Sequence, residues 1–216
     1  MKIYLRLAVL LVSSVTLLGT SVRAQGPAAP PKKVYTRKTH FNLPIQLDSK
    51  DRDTLEKIQL WVKNGPTGPW AMKASVPPSQ AVFPYQVDQD GEYWFSVVTV
   101  DKSGASRPAD VTQEPPGLMV IVDTHAPEVD VRAITLADGS SALKCAVKDA
   151  HPDLSTLRVE YKGDMGGWQL LQPMADMQDM YRVPDRAPHG SVRVAVSDLA
   201  KNNTTRELSP WSSRPA

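Results

Sequence analysis

One cysteine, Cys145, stands in 216 residues. No disulfide can form within the chain, and stability must come from packed strands. Long helical stripes are missing too: no apolar pattern at helical spacing runs beyond two turns, and nineteen prolines are scattered through the chain. Local catalytic signatures are also lacking, with no G-x-S-x-G elbow, H-E-x-x-H pair, C-x-x-C or Walker glycine loop. His40, His125, His151 and His189 lie far apart and read as ordinary loop histidines. The reading is therefore not an enzyme. The catalytic alternative, an enzyme or an accessory subunit of a secreted carbohydrate-active one, requires dispersed His and Asp residues to converge at a domain junction.

What is present begins with an export signal. Lys2 and Arg6 supply a positive end, Leu5 to Leu18 is nearly unbroken apolar sequence, and Val22-Arg23-Ala24 resembles a small-residue cleavage site. Cleavage after residue 24 leaves a mature chain from Gln25 with no membrane span. It also removes three cations and no acid, so 22 Lys and Arg remain against 23 Asp and Glu, a net of −1. Nothing is left of the basic face that binding nucleic acid requires. The expected location is exported: periplasmic, cell-surface or extracellular.

Residues 25–35 are a Pro-rich linker (GPAAPPKK from Gly26). Short alternating runs follow, broken by Gly, Pro, Asp and Asn. In a first unit, 36–123, strands are expected at Phe41–Leu47, Lys57–Lys63, Trp70–Ala74, Val82–Val87, Tyr93–Asp101 and Leu118–Val122, with a weak one before Phe41. Residues 124–127 are a short linker. A second unit, 128–210, repeats the order at Val129–Ala133, Ala142–Lys148, Thr156–Lys162, Trp168–Leu171, Met180–Val183, Ser191–Asp198 and Thr204–Leu208, and 211–216 form a tail. The clearest internal echo is Ile58, Leu60, Val62, Lys63 and Trp70 against Leu157, Val159, Tyr161, Lys162 and Trp168. The fold class is all-β: two tandem antiparallel β-sandwiches.

Several motifs name that class more closely. Gly91-Glu92-Tyr93-Trp94-Phe95 resembles the G-x-Y-x-C corner of immunoglobulin-like domains, with Phe95 in place of the cysteine and Tyr93 closing the corner. Val192-x-Val194-x-Val196-Ser197-Asp198, then Ala200, Asn202 and Asn203, is similar to the V-x-V-x-A-x-D-x-A-G-N endings of bacterial immunoglobulin-like and fibronectin type III-like repeats. Val122-Asp123-Thr124-x-Ala126-Pro127 is similar to the V-D-T-x-x-P junction between such repeats in secreted bacterial proteins. The resemblance covers about residues 36 to 209. It implies a binding or spacing role without catalytic residues, and it makes Cys145 half of a missing bridge, facing Val192, Val194 or Val196. By alternation with Leu143 and Val147, Cys145 reads as a buried, inert thiol. Tyr93, Phe95, Cys145, Trp70 and Trp168 are thus the structural residues.

Two ligand readings remain. Carboxylates at Asp88, Asp90, Asp101 and Asp123 are weak calcium candidates near the unit junction, the only cofactor the sequence suggests, although aspartate is also a common turn residue. More informative is an asymmetry between the copies. Ile58, Leu60 and Val62 face inward with Tyr93, Phe95 and Val97, which sends Trp61, Trp94, Val98 and Val100 to the opposite face. The second copy carries Arg158, Glu160, Lys162, Arg193, Ala195 and Ser197 at matching positions. An apolar, tryptophan-bearing sheet face implies a cover: the second unit, residues 34–41 before the first strand, a protein partner or a glycan.

Overall fold

The computed structural model describes residues 31, 33–47, 49–163, 166–184 and 190–208. The proposed export signal, residues 1–24, and the tail 211–216 lie outside them, as does His189. Among the described residues no helix is long and apolar enough to cross a membrane. The chain divides into two compact units between Asp123 and Thr124.

Unit 1 contains β1 (Lys33–Thr36), β2 (His40–Pro44), a one-turn helix α1 (Ser49–Arg52), β3 (Leu55–Asn64), β4 (Ala71–Val76), β5 (Val82–Gln86), β6 (Gly91–Asp101), β7 (Ser106–Arg107) and β8 (Leu118–Val122). One sheet runs β1-β8-β6-β3-β4, with β7 also on β6, and the other pairs β2 with β5. Between them, Leu43 and Phe83 of the small sheet meet Ile58, Leu60, Val62, Phe95, Leu118, Val120 and Val122 of the large one. Phe95 takes Phe41 and Tyr85 edge-on at 5.9 and 5.0 Å between ring centroids. The aromatic cluster thus occupies the place where the immunoglobulin pattern carries its cysteine.

The strand before Phe41 is real and starts earlier than the first unit was expected to. Lys33, Val34 and Tyr35, read as the end of the Pro-rich linker, pair in parallel with Met119, Val120 and Ile121 of β8. The physical reason is that Val34 adds to the core while Lys33 and Tyr35 sit at positions of the opposite face. Two details had no periodic signal: the two-residue β7 and the turn of α1.

Unit 2 contains β9 (Glu128–Thr135), β10 (Ser141–Lys148), β11 (Pro152–Lys162), β12 (Gln169–Leu170), β13 (Pro173–Met174), β14 (Met177–Arg182), β15 (Ser191–Asp198) and β16 (Asn203–Leu208). Its two four-stranded sheets run β13-β14-β10-β9 and β12-β11-β15-β16. Cys145 lies between them with Leu143, Val159, Tyr161, Tyr181, Val183, Val192, Val194 and Val196. The Thr204 hydroxyl donates to the Pro127 carbonyl at 2.6 Å, and the Arg206 guanidinium to that of Val129 at 2.8 Å, tying β16 to the start of β9.

The repeat extends to hydrogen bonds. After β6, the Asp101 N–H donates to the Ala105 carbonyl, the Gly104 N–H to Asp101 and the Lys102 N–H to Thr54. After β15, Asp198 donates to Asn202, Lys201 to Asp198 and Leu199 to His151. The two turns are built alike, with Gly104 at φ 87° and Lys201 at φ 71°. In the second unit, a lysine holds a backbone position that favours glycine.

Candidate functional site

Alternation along β3 is regular: Ile58, Leu60 and Val62 are buried, and Gln59, Trp61 and Lys63 are half-buried between them. Register then assembles the outer face of the large sheet. Lys63 opposes Trp94, which opposes Met119, which opposes Lys33; one row along, Met72 opposes Trp61 and Trp61 opposes Ser96.

Trp94 is held from two sides. Its indole N–H donates to Glu92 at 2.5 Å, the Lys63 ammonium lies 4.9 Å from the ring centre, and the Glu92 carboxylate also meets Lys33 at 3.6 Å. The Trp61 N–H donates to the Gln59 side chain at 3.2 Å. Both indoles therefore satisfy their donors within the protein and offer ring surface outward.

Val98 and Val100 occupy the same outer face by register, opposite Gln59 and Lys57. They are only 5% and 6% exposed, and Met119 and Ile121 are buried with them, outside the central core. The apolar area that remains open is narrower than alternation suggests, and it centres on Trp61, Trp94 and the half-exposed Met72.

Trp70 and Trp168 lie outside the core clusters of their units and are only partly buried. Each precedes its strand, β4 or β12, rather than opening it. Trp168 lies against the outer face of its sheet, with the Arg193 guanidinium 4.3 Å from the ring centre and Arg193 bonded to Glu160 at 2.8 Å. Sequence alternation missed this cluster because Trp168 comes from a loop, where spacing does not report direction. The outer face of unit 2 is accordingly less purely polar than its strand residues imply.

The structural tyrosine closes its corner, as Tyr93 donates its hydroxyl to the Gln89 carbonyl at 2.7 Å. Burial pushes the Cys145 thiol up to about 11, with Asp130 and Asp179 adding to the shift. At that value the nucleophilic thiolate is scarce near neutral pH.

Among the calcium candidates, Asp101 is engaged in its turn. One carboxylate oxygen accepts from the Ser103 N–H and hydroxyl at 2.9 and 2.6 Å and from the Ala105 N–H at 3.0 Å. The Ser103 hydroxyl and the Ala105 N–H hold its pKa below the usual carboxylate value. Asp88 is exposed, whereas exposed Asp90 and buried Asp123 bring carboxylate oxygens within 4.8 Å of each other. Asp149 and Asp198 form a second such pair within unit 2, with Asp198 accepting from the Asn202 N–H at 2.8 Å and side-chain amide at 2.7 Å.

No protein-family model and no curated protein matches the chain. Solved structures do. The fibronectin(III)-like modules of Clostridium thermocellum CbhA are 15% identical, with 85% of this chain and 91% of that one covered at a TM-score of 0.37. A two-domain fibronectin type III segment of chicken tenascin is 12% identical, covering 81% and 94% at 0.34. The FN1–FN3 domains of chicken CNTN1 are 11% identical, covering 83% and 68% at 0.32. These neighbours are fibronectin type III tandems. The similarity concerns fold alone, and the two-sheet architecture of each unit described above stands on its own strands.

Proposed function

We propose that the chain is an exported, non-catalytic binding or spacing protein that works by surface contact at the cell envelope or outside the cell, with Trp61 and Trp94 as its anchors. The observation that carries this reading is two half-buried indoles on one sheet face with their N–H groups already bonded inside the protein. Such rings bring large contact area and few rotors to freeze, which suits recognition by a protein or a glycan. The same contact would serve an accessory module of a secreted hydrolase.

Export is tested by fusing residues 1–30 to an alkaline phosphatase that is active only outside the cytoplasm. Activity is expected, and an inactive, cytoplasmic fusion would sink the export reading. The anchors are tested by co-sedimentation with isolated envelope material. Trp61→Ala with Trp94→Ala is expected to abolish retention while circular dichroism stays unchanged, and undiminished retention would refute the anchors.

A calcium-stiffened spacer is the second reading, motivated by the close carboxylates of Asp90 and Asp123. A ligand held only by the native state raises stability by about 2.7 kcal/mol at a hundredfold excess over Kd. A melting temperature unchanged between millimolar calcium and chelator would dismiss it.

A further inference from the structure

Asn64 ends β3 and Gly65 opens the turn that leads to β4. Asn64 is exposed, Gly65 takes a φ of 67°, and a Cβ built on Gly65 would meet nothing within 4 Å. The backbone nitrogen that follows Asn64 is therefore uncrowded, both by the missing side chain of glycine and by its surroundings. The other three asparagines are placed differently. Asn42 lies within β2 and precedes the bulky Leu43. Asn202 is buried with its amide on Asp198 at 2.7 Å, and Asn203 accepts from the Ser197 hydroxyl at 2.6 Å and donates to the Lys201 carbonyl at 3.3 Å.

We propose that Asn64 is a site of spontaneous modification, converted through a cyclic imide with Gly65 to aspartate and isoaspartate. The Gly65 nitrogen attacks the side-chain carbonyl carbon of Asn64. A bond forms between that nitrogen and Cγ, the Cγ–Nδ2 bond breaks, and ammonia leaves with the proton that the Gly65 nitrogen gives up. Water then opens the five-membered ring. Addition at Cγ restores the ordinary peptide bond and leaves an aspartate side chain, whereas addition at the main-chain carbonyl leaves the chain running through Cγ as isoaspartate. Nothing is oxidised or reduced, and water is the sole co-reactant.

The fold sets the pace of the first step. The Gly65 N–H donates to the Glu92 carbonyl at 2.7 Å, just beyond the pairing of Asn64 with Tyr93 that ends the β3–β6 register. Attack waits on the opening of that bond, and the end of a ladder is where opening costs least. The product matters for what lies beside it. A new carboxylate follows Lys63, whose ammonium lies 4.9 Å from the Trp94 ring centre. Isoaspartate also lengthens the main chain by one carbon before Gly65, which displaces the bond to Glu92, the residue whose carboxylate accepts from the Trp94 indole. The chemistry of Asn64 stands whether or not that face binds a partner.

The purified full-length protein is incubated in mildly alkaline and mildly acidic buffer, and its peptides are mapped by mass spectrometry with enzymatic methylation of isoaspartate. Aspartate and isoaspartate are both expected at position 64, accumulating at least about 10-fold faster than at Asn42, Asn202 or Asn203, and faster in the alkaline buffer because the nitrogen must lose its proton. Gly65→Ala, with its folding established by a melting curve, is expected to slow conversion by about 10-fold. In urea the wild-type rate at Asn64 should rise, since the bond to Glu92 is gone.

Conversion at Asn64 no faster than at the other three asparagines would overturn the proposal. Aspartate without isoaspartate would overturn the imide route, as would an unchanged rate in folded Gly65→Ala. Conversion confined to the unfolded protein would overturn it for the native state, because the ladder would then hold the pair closed.

Discussion

Lys201 carries the sharpest backbone signature in the molecule. An L-residue in the left-handed region costs about 1–2 kcal/mol relative to glycine, and the equivalent turn of unit 1 uses Gly104 there. The Lys201 ammonium does reach Asp153 at 3.2 Å, but an exposed ion pair returns little. Lys201→Gly is expected to stabilise the protein by about 0.5–1 kcal/mol in urea unfolding. Asp138 gives a residue-scale pH dependence. Its carboxylate is held down to about 2, first by the Ser140 hydroxyl, then by the Ser140 N–H and by Arg182. Since the folded value lies below the unfolded one, its stabilisation is fully present above about pH 4 and fades as pH falls toward 2. An NMR titration of the Asp138 carboxyl should show the depressed midpoint, and Ser140→Ala should raise it. Cys145 is expected to resist a disulfide-exchange reagent in the native protein and to react promptly once unfolded.

At the scale of elements, β3 shows what alternation can and cannot reveal. Burial of Ile58, Leu60 and Val62 was legible because one side of a strand facing a core imposes a period of two. Leu60→Ala should therefore cost about 2–5 kcal/mol, and Gln59→Ala about 0.5–1.5 kcal/mol for its bond from the Trp61 N–H, in paired denaturant curves. Val98 and Val100 mark the limit of that reasoning. Their outward direction was readable, but burial at an outward position depends on what covers it, and a strand pattern holds no record of its cover. Trp168 shows a related limit, since a loop residue has no period and only the folded chain brings it to Arg193. The turn between β3 and β4 supplies another test. A Cβ on Gly68 would collide with the Asn64 carbonyl, so Gly68→Ala is expected to destabilise unit 1 by more than about 1 kcal/mol.

For the whole molecule, repetition of one strand order explains why the architecture was readable while the proposed binding role was not. Core positions recur because both copies bury the same faces, as with Leu60 and Val159 or Val62 and Tyr161, whereas outer positions were free to diverge at Trp61 and Glu160. Each unit has its own core cluster, so Leu60→Ala and Leu143→Ala are expected to have additive effects, within about 0.5 kcal/mol. Calorimetry of the two single variants and the double tests this.

The parallel pairing of β1 with β8 also sets a schedule. Synthesis makes Lys33–Thr36 first in unit 1 and Leu118–Val122 last, yet the two are hydrogen-bonded neighbours in the finished sheet. Until some ninety residues have emerged, β1 has no β8 to join, and pairing of such distant segments is slow. On a nascent chain β1 therefore stays unpaired through most of the making of its first unit. For the export proposed above, that interval is the one in which a translocation channel needs a polypeptide it can thread.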